Sequence, residues 1–267
     1  MNIIEAVVLG IVQGLTEFLP VSSSGHLVLL QKLFGISEPA LFFDTMLHAG
    51  TLAAVCVVLW KDIAALLRHP LQPLTGLLII ATIPAVIIAL VFKDTIEAAF
   101  HSASFLGFAF LITAAALFIS EALSRRAGKI RGQDEMKWSD ALIMGILQGA
   151  AIMPGVSRSG FTLSGALSRK IERGFAARFS FLMSIPAILG ALVLQLKDII
   201  FETSPQTAGI GAAPIIAGTA VSAAVGFFAV RFMLKIVREK SLIGFAVYVA
   251  VLGVLVLMDQ YITHLFF

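Results

Sequence analysis

Long apolar runs alternate with short polar segments along the whole chain. A helix that crosses a bilayer needs about 20 mostly apolar residues. Six runs meet that requirement: 40–60, 74–92, 104–122, 175–196, 213–230 and 243–264. Two further regions, 3–34 and 139–168, are apolar but interrupted near the middle by Pro, Gly and Ser. Each predicts two half-helices meeting at a break rather than one clean span. The expected fold class is an all-α polytopic membrane protein, with six transmembrane helices and two broken re-entrant helix pairs.

Composition sharpens this picture. The 267 residues are 59% hydrophobic and 13% charged, with mean hydropathy +0.99, whereas soluble domains carry about 25% charged residues. The N-terminus lacks a basic leader, and Glu5, Gln13 and Glu17 interrupt its apolar run, so no cleavable signal is expected. The single cysteine, Cys56, excludes a disulfide framework within the chain. A pI near 9.2 would suggest nucleic acid in a soluble protein. Here the basic residues cluster between spans, so no nucleic-acid partner is expected and the phospholipid bilayer takes that place.

Those basic residues set an orientation. Four segments carry most of them: 61–73 (Lys61, Arg68), 124–138 (Arg125, Arg126, Lys129, Arg131, Lys137), 168–178 (Arg169, Lys170, Arg173, Arg178) and 231–240 (Arg231, Lys235, Arg238, Lys240). If each broken region returns to its own side, alternation puts all four segments on one face. Only Lys32, Lys93 and Lys197 remain on the other. An excess of Lys and Arg marks the cytoplasmic side, so both termini are expected outside.

The chain also repeats itself. At an offset of 135 residues, GIVQGLTEFLPVSSSG (Gly10 to Gly25) falls on GILQGAAIMPGVSRSG (Gly145 to Gly160) without a gap, identical at eight of sixteen positions. Within a single membrane domain 1–267, repeats of about 1–123 and 136–267 flank a basic connector at about 124–138. Each half holds one broken region and three spans. An odd number of crossings makes the second half enter from the opposite face, giving an inverted-topology repeat whose breaks meet near the midplane. Pro20 and the Pro154-Gly155 pair end one half-helix, and the following serines suit the cap of the next. Two half-helix N-termini then face one volume, with the donors and positive dipole that bind phosphate.

The two copies differ in side-chain chemistry. Glu17, Ser23 and His26 of the first stand opposite Ile152, Arg158 and Phe161 of the second. An arginine at membrane depth is costly and marks a site; its planar fork suits phosphate. Arg158 is the expected anion clamp, with a salt bridge to Glu17 as the structural alternative. Glu17 is a candidate general base, metal ligand or orienting partner of His26. Gln13, one turn earlier, offers an amide oxygen to a Mg²⁺ or Ca²⁺ held mainly by Glu17 and phosphate oxygens. His26 is a candidate acid–base or nucleophilic group. Ser22 and Ser24 recur in the second copy and suit the shared backbone, whereas Ser23 does not recur and is the better nucleophile candidate. Asp44 and His48, four apart on the next span, either line the same cavity or pair with each other.

QGLTEFLPVSSSGH (Gln13 to His26) and PGVSRSGFT (Pro154 to Thr162) closely resemble the two signature segments of the undecaprenyl-diphosphate phosphatases, the bacitracin-resistance family. The resemblance runs along the whole chain in length, span count and motif spacing. It implies a bacterial inner-membrane enzyme that removes the terminal phosphate of undecaprenyl diphosphate, regenerating the lipid carrier of cell-wall synthesis. It also implies an outward-facing site and a divalent cation. By motif position, Glu17 matches the family's acid, Ser23 its proposed nucleophile, His26 its histidine and Arg158 its arginine. Gln13 stands where some members carry a glutamate, which puts a two-carboxylate metal site in doubt. Substrate contacts are expected from Gln13, Ser22, Ser24, Gly25, Ser157, Ser159, Gly160 and Thr162. A homodimer is a further expectation, and the rival function is an anion or lipid-phosphate transporter on the same inverted repeat.

Overall fold

The computed structural model describes residues 1–36, 41–92, 95–96, 99, 104–201 and 210–265; Ala40 and Lys93 lie outside them. Among the described residues the architecture is all-helical: α1 (Ile3–Thr16), α2 (Ser23–Leu33), α3 (Leu41–Val58), α4 (Trp60–Arg68), α5 (Pro73–Val91), α6 (Leu106–Ser124), α7 (Trp138–Ala150), α8 (Arg158–Ser168), α9 (Arg173–Phe201), α10 (Ala212–Glu239) and α11 (Ile243–Met258). Among the described residues six helices are long and apolar enough to cross a membrane: α3, α5, α6, α9, α10 and α11. They coincide with the six predicted spans. The two broken regions are α1 with α2 and α7 with α8, as their interrupted pattern predicts.

Local signals explain the ends. Asn2 and Glu5 form a reciprocal capping box at the start of α1, with Glu5 N–H donating to Asn2 Oδ1 at 2.9 Å and Asn2 N–H to Glu5 Oε2 at 2.8 Å. Pro73 opens α5, where its missing N–H costs nothing. The sequence pattern missed α4 and left its residues to a loop. The helix is too short and mixed to read as a span; its exposed Trp60 and Leu67 share it with Lys61, Asp62 and Arg68. Arg178 at the start of α9 pairs with Asp62 and fastens α4 to the bundle.

The broken helix of each half packs on a span of the other. Helix α1 lies against α10, where a Cβ on Gly10 would sit 2.5 Å from Gly218 O. Helix α7 lies against α5, where Gly145 meets the Ala81 carbonyl. Gly10 and Gly145 are the residues that the 135-residue offset aligns, and only glycine lets these backbones approach so closely. Phe18, in the first break, is fully buried and meets Phe181 of α9 edge-on at 5.3 Å.

Polar bonds gather the four basic segments at one end of the bundle. Arg131 grips Asp140 with both terminal nitrogens, at 2.8 and 3.0 Å, and Arg169 Nε reaches the same carboxylate at 2.8 Å. Arg173 donates to Glu121 Oε1 at 2.7 Å and to the carbonyls of Val237 and Lys240 at 2.8 and 2.7 Å. Lys170 caps the end of α6 through the Leu123 and Ser124 carbonyls, at 2.7 and 3.1 Å. Burial opposes ionisation of Asp140, but the two arginines and the Lys137 N–H hold its carboxyl below the ordinary carboxylate range.

Replacing Asp140 by Asn strands Arg131 and should lower stability by about 3 kcal/mol, read as a lower melting temperature in detergent. Because the folded carboxyl ionises more readily than the unfolded one, its contribution is present above the usual value of 3.8 and is lost as pH falls below it. The melting temperature of the Asp140→Asn variant should therefore converge on wild type in acid.

Candidate active site

Helix α1 ends at Thr16, whose hydroxyl turns back to the Val12 carbonyl at 2.7 Å. The chain then breaks through Phe18, Leu19 and Pro20 and restarts at Ser23. Ser22 caps the restart, its Oγ accepting from Gly25 N–H at 3.2 Å, and its backbone sits at φ +71°, a region that serine rarely adopts. The second break repeats the device. Ser157 Oγ accepts from Gly160 N–H at 3.1 Å, while Gly155 takes the positive φ, at +86°. The two breaks are laced together: Gly155 N–H donates to Ser24 Oγ at 3.2 Å, and Ser159 Oγ donates to Leu19 O at 2.8 Å. Two helix starts, 135 residues apart in the chain, thus border one volume, each with backbone donors its own helix cannot use.

Glu17 sits at the centre, 6% exposed. Its Oε1 pairs with Arg158 Nη2. Its Oε2 accepts from Ser23 Oγ at 2.6 Å and from Gln13 Nε2 at 2.9 Å, and lies 3.4 Å from His48 Nε2. Two groups around it are left open. Arg158 Nη1 is buried without a hydrogen-bond partner, and so is Gln13 Oε1. A buried unpaired guanidinium nitrogen is expensive, and an anion in the adjoining space would satisfy it. Gln13 Oε1 beside the Glu17 carboxylate is the kind of oxygen pair that a hard cation takes. Among the described residues no three His, Cys, Asp or Glu side chains gather to cage a metal. An ion here would therefore draw its other oxygens from phosphate and water, as Mg²⁺ commonly does.

Several expected roles are redistributed. His26 does not meet Glu17. Its Nδ1 faces Ser22 O at 2.7 Å and its Nε2 the Tyr248 hydroxyl at 2.7 Å. Glu17 Oε2 is already taken by Ser23 and Gln13, and the Ser22 carbonyl one turn earlier claims the ring. His48 is the imidazole beside Glu17. The Asp44 side chain instead accepts from Gln31 at 2.7 Å, and His48 meets only its backbone carbonyl, also at 2.7 Å. The hydroxyls of Ser22, Ser24, Ser157 and Ser159, expected to bind substrate, are engaged in caps and cross-loop bonds. Thr162 is turned into the packing, bonded to Ser180 Oγ at 2.6 Å and to the Arg158 carbonyl at 3.0 Å. These loops offer a ligand their helix-start N–H groups instead. A Cβ on Gly25 would lie 2.6 Å from the Phe110 ring, so that glycine is there for close packing with α6. Gly160 accommodates its own cap, with Ser157 Oγ 3.1 Å from a Cβ. The sequence pattern passes over Tyr248; the available signal is a phenol in the otherwise apolar stretch 243–258.

A family model described as bacitracin resistance protein BacA matches residues 6–255, which take in both breaks, five spans and most of the sixth. The chain belongs to the BacA family. Among BacA relatives, an undecaprenyl-diphosphatase of Carboxydothermus hydrogenoformans is 47% identical over 260 residues, covering 97% of this chain and 98% of the relative. A Bacillus cereus protein named undecaprenyl-diphosphatase 3 is 45% identical, with 98% of each chain covered. An undecaprenyl-diphosphatase of Methanosphaera stadtmanae is 40% identical over 97% of this chain and 98% of its own.

Removing a serine cap from this BacA chain tests the structural assignment. Ser157→Ala should cost about 1 kcal/mol of stability in a detergent melt. The Thr162→Val variant should likewise lower the melting temperature, because it leaves Ser180 without its partner.

Proposed function

We propose that this chain hydrolyses undecaprenyl diphosphate to undecaprenyl phosphate and phosphate in the bacterial inner membrane, recycling the lipid carrier for cell-wall synthesis and conferring bacitracin resistance. The observation that carries this reading is the Ser23 hydroxyl, 2.6 Å from the Glu17 carboxylate, beside an arginine with a buried unpaired nitrogen. A nucleophile, a base in contact with it and an anion clamp are what phosphoryl transfer requires.

In this reading Arg158 Nη1 and the helix-start N–H groups take the terminal phosphate. Ser23 Oγ, or a water in its place, attacks phosphorus while Glu17 Oε2 receives the proton. The bond to the bridging oxygen breaks, and its electron pair leaves with the prenyl phosphate. With serine as nucleophile, water then attacks the phosphoserine and Ser23 regains its proton from Glu17. A divalent cation, Mg²⁺ or Ca²⁺, would be held by Glu17 and Gln13 Oε1 and would neutralise phosphate charge. Glu17 is thus the base itself, one of the three roles the sequence leaves open to it, and not the orienting partner of His26.

The gathering of the basic segments at one end supports a cytoplasmic placement of that end, with both termini and the site toward the outer side. The exchanged packing of α1 on α10 and α7 on α5 supports the inverted-repeat reading. That architecture also favours the rival function, a lipid-phosphate transporter. A transporter has no need of the Ser23–Glu17 contact.

Purified protein in detergent, given a prenyl diphosphate and Mg²⁺, should release phosphate, and chelation of the metal should slow it. Ser23→Ala should lose nearly all turnover. Arg158→Lys keeps a cation for Glu17 but not the fork, so it should fold and yet lose about 100-fold in kcat/KM. Absence of phosphate release from wild type would favour transport.

A further inference from the structure

Tyr248 is the one polar side chain from α11 that reaches the site, and the sequence reading gives it no role. Helix α11 lies close on α6, because Gly107 and Gly253 face each other; a Cβ on Gly253 would sit 2.9 Å from Gly107 O. That approach carries the Tyr248 ring onto His26, stacked at 5.7 Å between centroids with 15° between the planes. Phe110 of α6 closes another side of the imidazole edge-on, at 5.6 Å and 81°. His26 is therefore held between two rings, with one polar partner at each nitrogen.

The hydrogens follow from those partners. Ser22 O is a carbonyl and only accepts, so His26 Nδ1 carries the hydrogen of that 2.7 Å bond. In the neutral ring Nε2 is then bare, and it accepts from the Tyr248 hydroxyl at 2.7 Å. The bare nitrogen is therefore bonded to the Tyr248 hydroxyl on α11, and Glu17 is the partner of neither ring nitrogen. Tyr248 is 48% exposed there, on a face it shares with exposed Val247, Val251 and Leu255. Glu17 is buried and Ser23 partly so, whereas the His26 Nε2–Tyr248 bond lies at the exposed edge of the site, beside apolar side chains suited to lipid. Resting on the phosphatase reading, a prenyl diphosphate brings its terminal phosphate to Ser23 and Glu17 and its prenyl-bearing phosphate, the leaving group, to that edge.

We propose that Tyr248 is a positioning residue for this reaction: the Ser22 carbonyl sets the Nδ1–H form of His26, and the phenol, donating to Nε2, fixes that nitrogen on the leaving-group side of the diphosphate. It acts through His26 and not through Arg158, which clamps the phosphate. Its loss changes turnover and spares binding.

The Tyr248→Phe variant keeps the stacked ring and loses only the hydroxyl. Assayed for phosphate release from a prenyl diphosphate in detergent, it should show kcat down about tenfold with KM unchanged. Introduced into His26→Gln, the same change should cost nothing further, since its only route is gone. Wild-type kcat in Tyr248→Phe overturns the proposal. So does a loss carried in KM, or an equal further loss on the His26→Gln background. Nitrogen NMR of histidine-labelled wild type gives a readout independent of any variant's folding: His26 should carry its hydrogen on Nδ1, and finding it on Nε2 in the neutral ring overturns the proposal. A wild type that releases no phosphate overturns the phosphatase reading, whereas an active wild type with an indifferent Tyr248 overturns this inference alone.

Discussion

A carboxylate and a guanidinium lie together among apolar helices, and each would be prohibitively costly there alone. Glu17 comes from the first break and Arg158 from the second, so their pairing joins the two halves of the chain at one point. Satisfying Glu17 also draws in Ser23, Gln13 and His48. The geometry that makes the pair tolerable is the geometry that aims a hydroxyl at a base. It leaves one guanidinium nitrogen unanswered, and in a buried setting an unanswered donor amounts to a demand for an anion.

The serines around the pair divide by task. Ser22 and Ser157 hold helix starts, and Ser24 and Ser159 tie one break to the other. Broken backbone at this depth survives only if its polar groups find partners within the protein, which is why so many hydroxyls there are structural. Ser23 differs because its side chain points at a carboxylate instead of at backbone. The 135-residue comparison singles it out as the serine without a counterpart, and the geometry gives that difference a chemical meaning.

Much of this could be read from the chain, and the reasons are local. Span length, Pro and Gly at the breaks, and serine at the caps each depend on neighbouring residues, so α1 to α3 and α7 to α9 fell where the pattern put them. The Glu17–Arg158 pair was readable because two charges in hydrocarbon have few other choices. Partners set by how closely two distant helices approach were out of reach. Whether His26 meets Glu17 or Tyr248 depends on the Gly107–Gly253 contact, and whether Asp44 meets His48 or Gln31 depends on Gln31 of α2 coming within reach of α3. Helix α4 was hidden for another reason: its alternation of Trp, Lys and Leu is amphipathic, and a search for spans passes over it.

The Gly10–Gly218 and Gly145–Ala81 contacts also constrain how the chain is made. Helix α1 emerges first, yet its binding face belongs to α10, most of a chain later. Helix α5 likewise lacks its partner until α7 has been synthesised. Neither half can bury its own break, so the first half has to wait in the membrane with its polar turn incomplete until the second arrives. Maturation of the active site is thus a late event of biogenesis, and a chain truncated before α10 has no route to it.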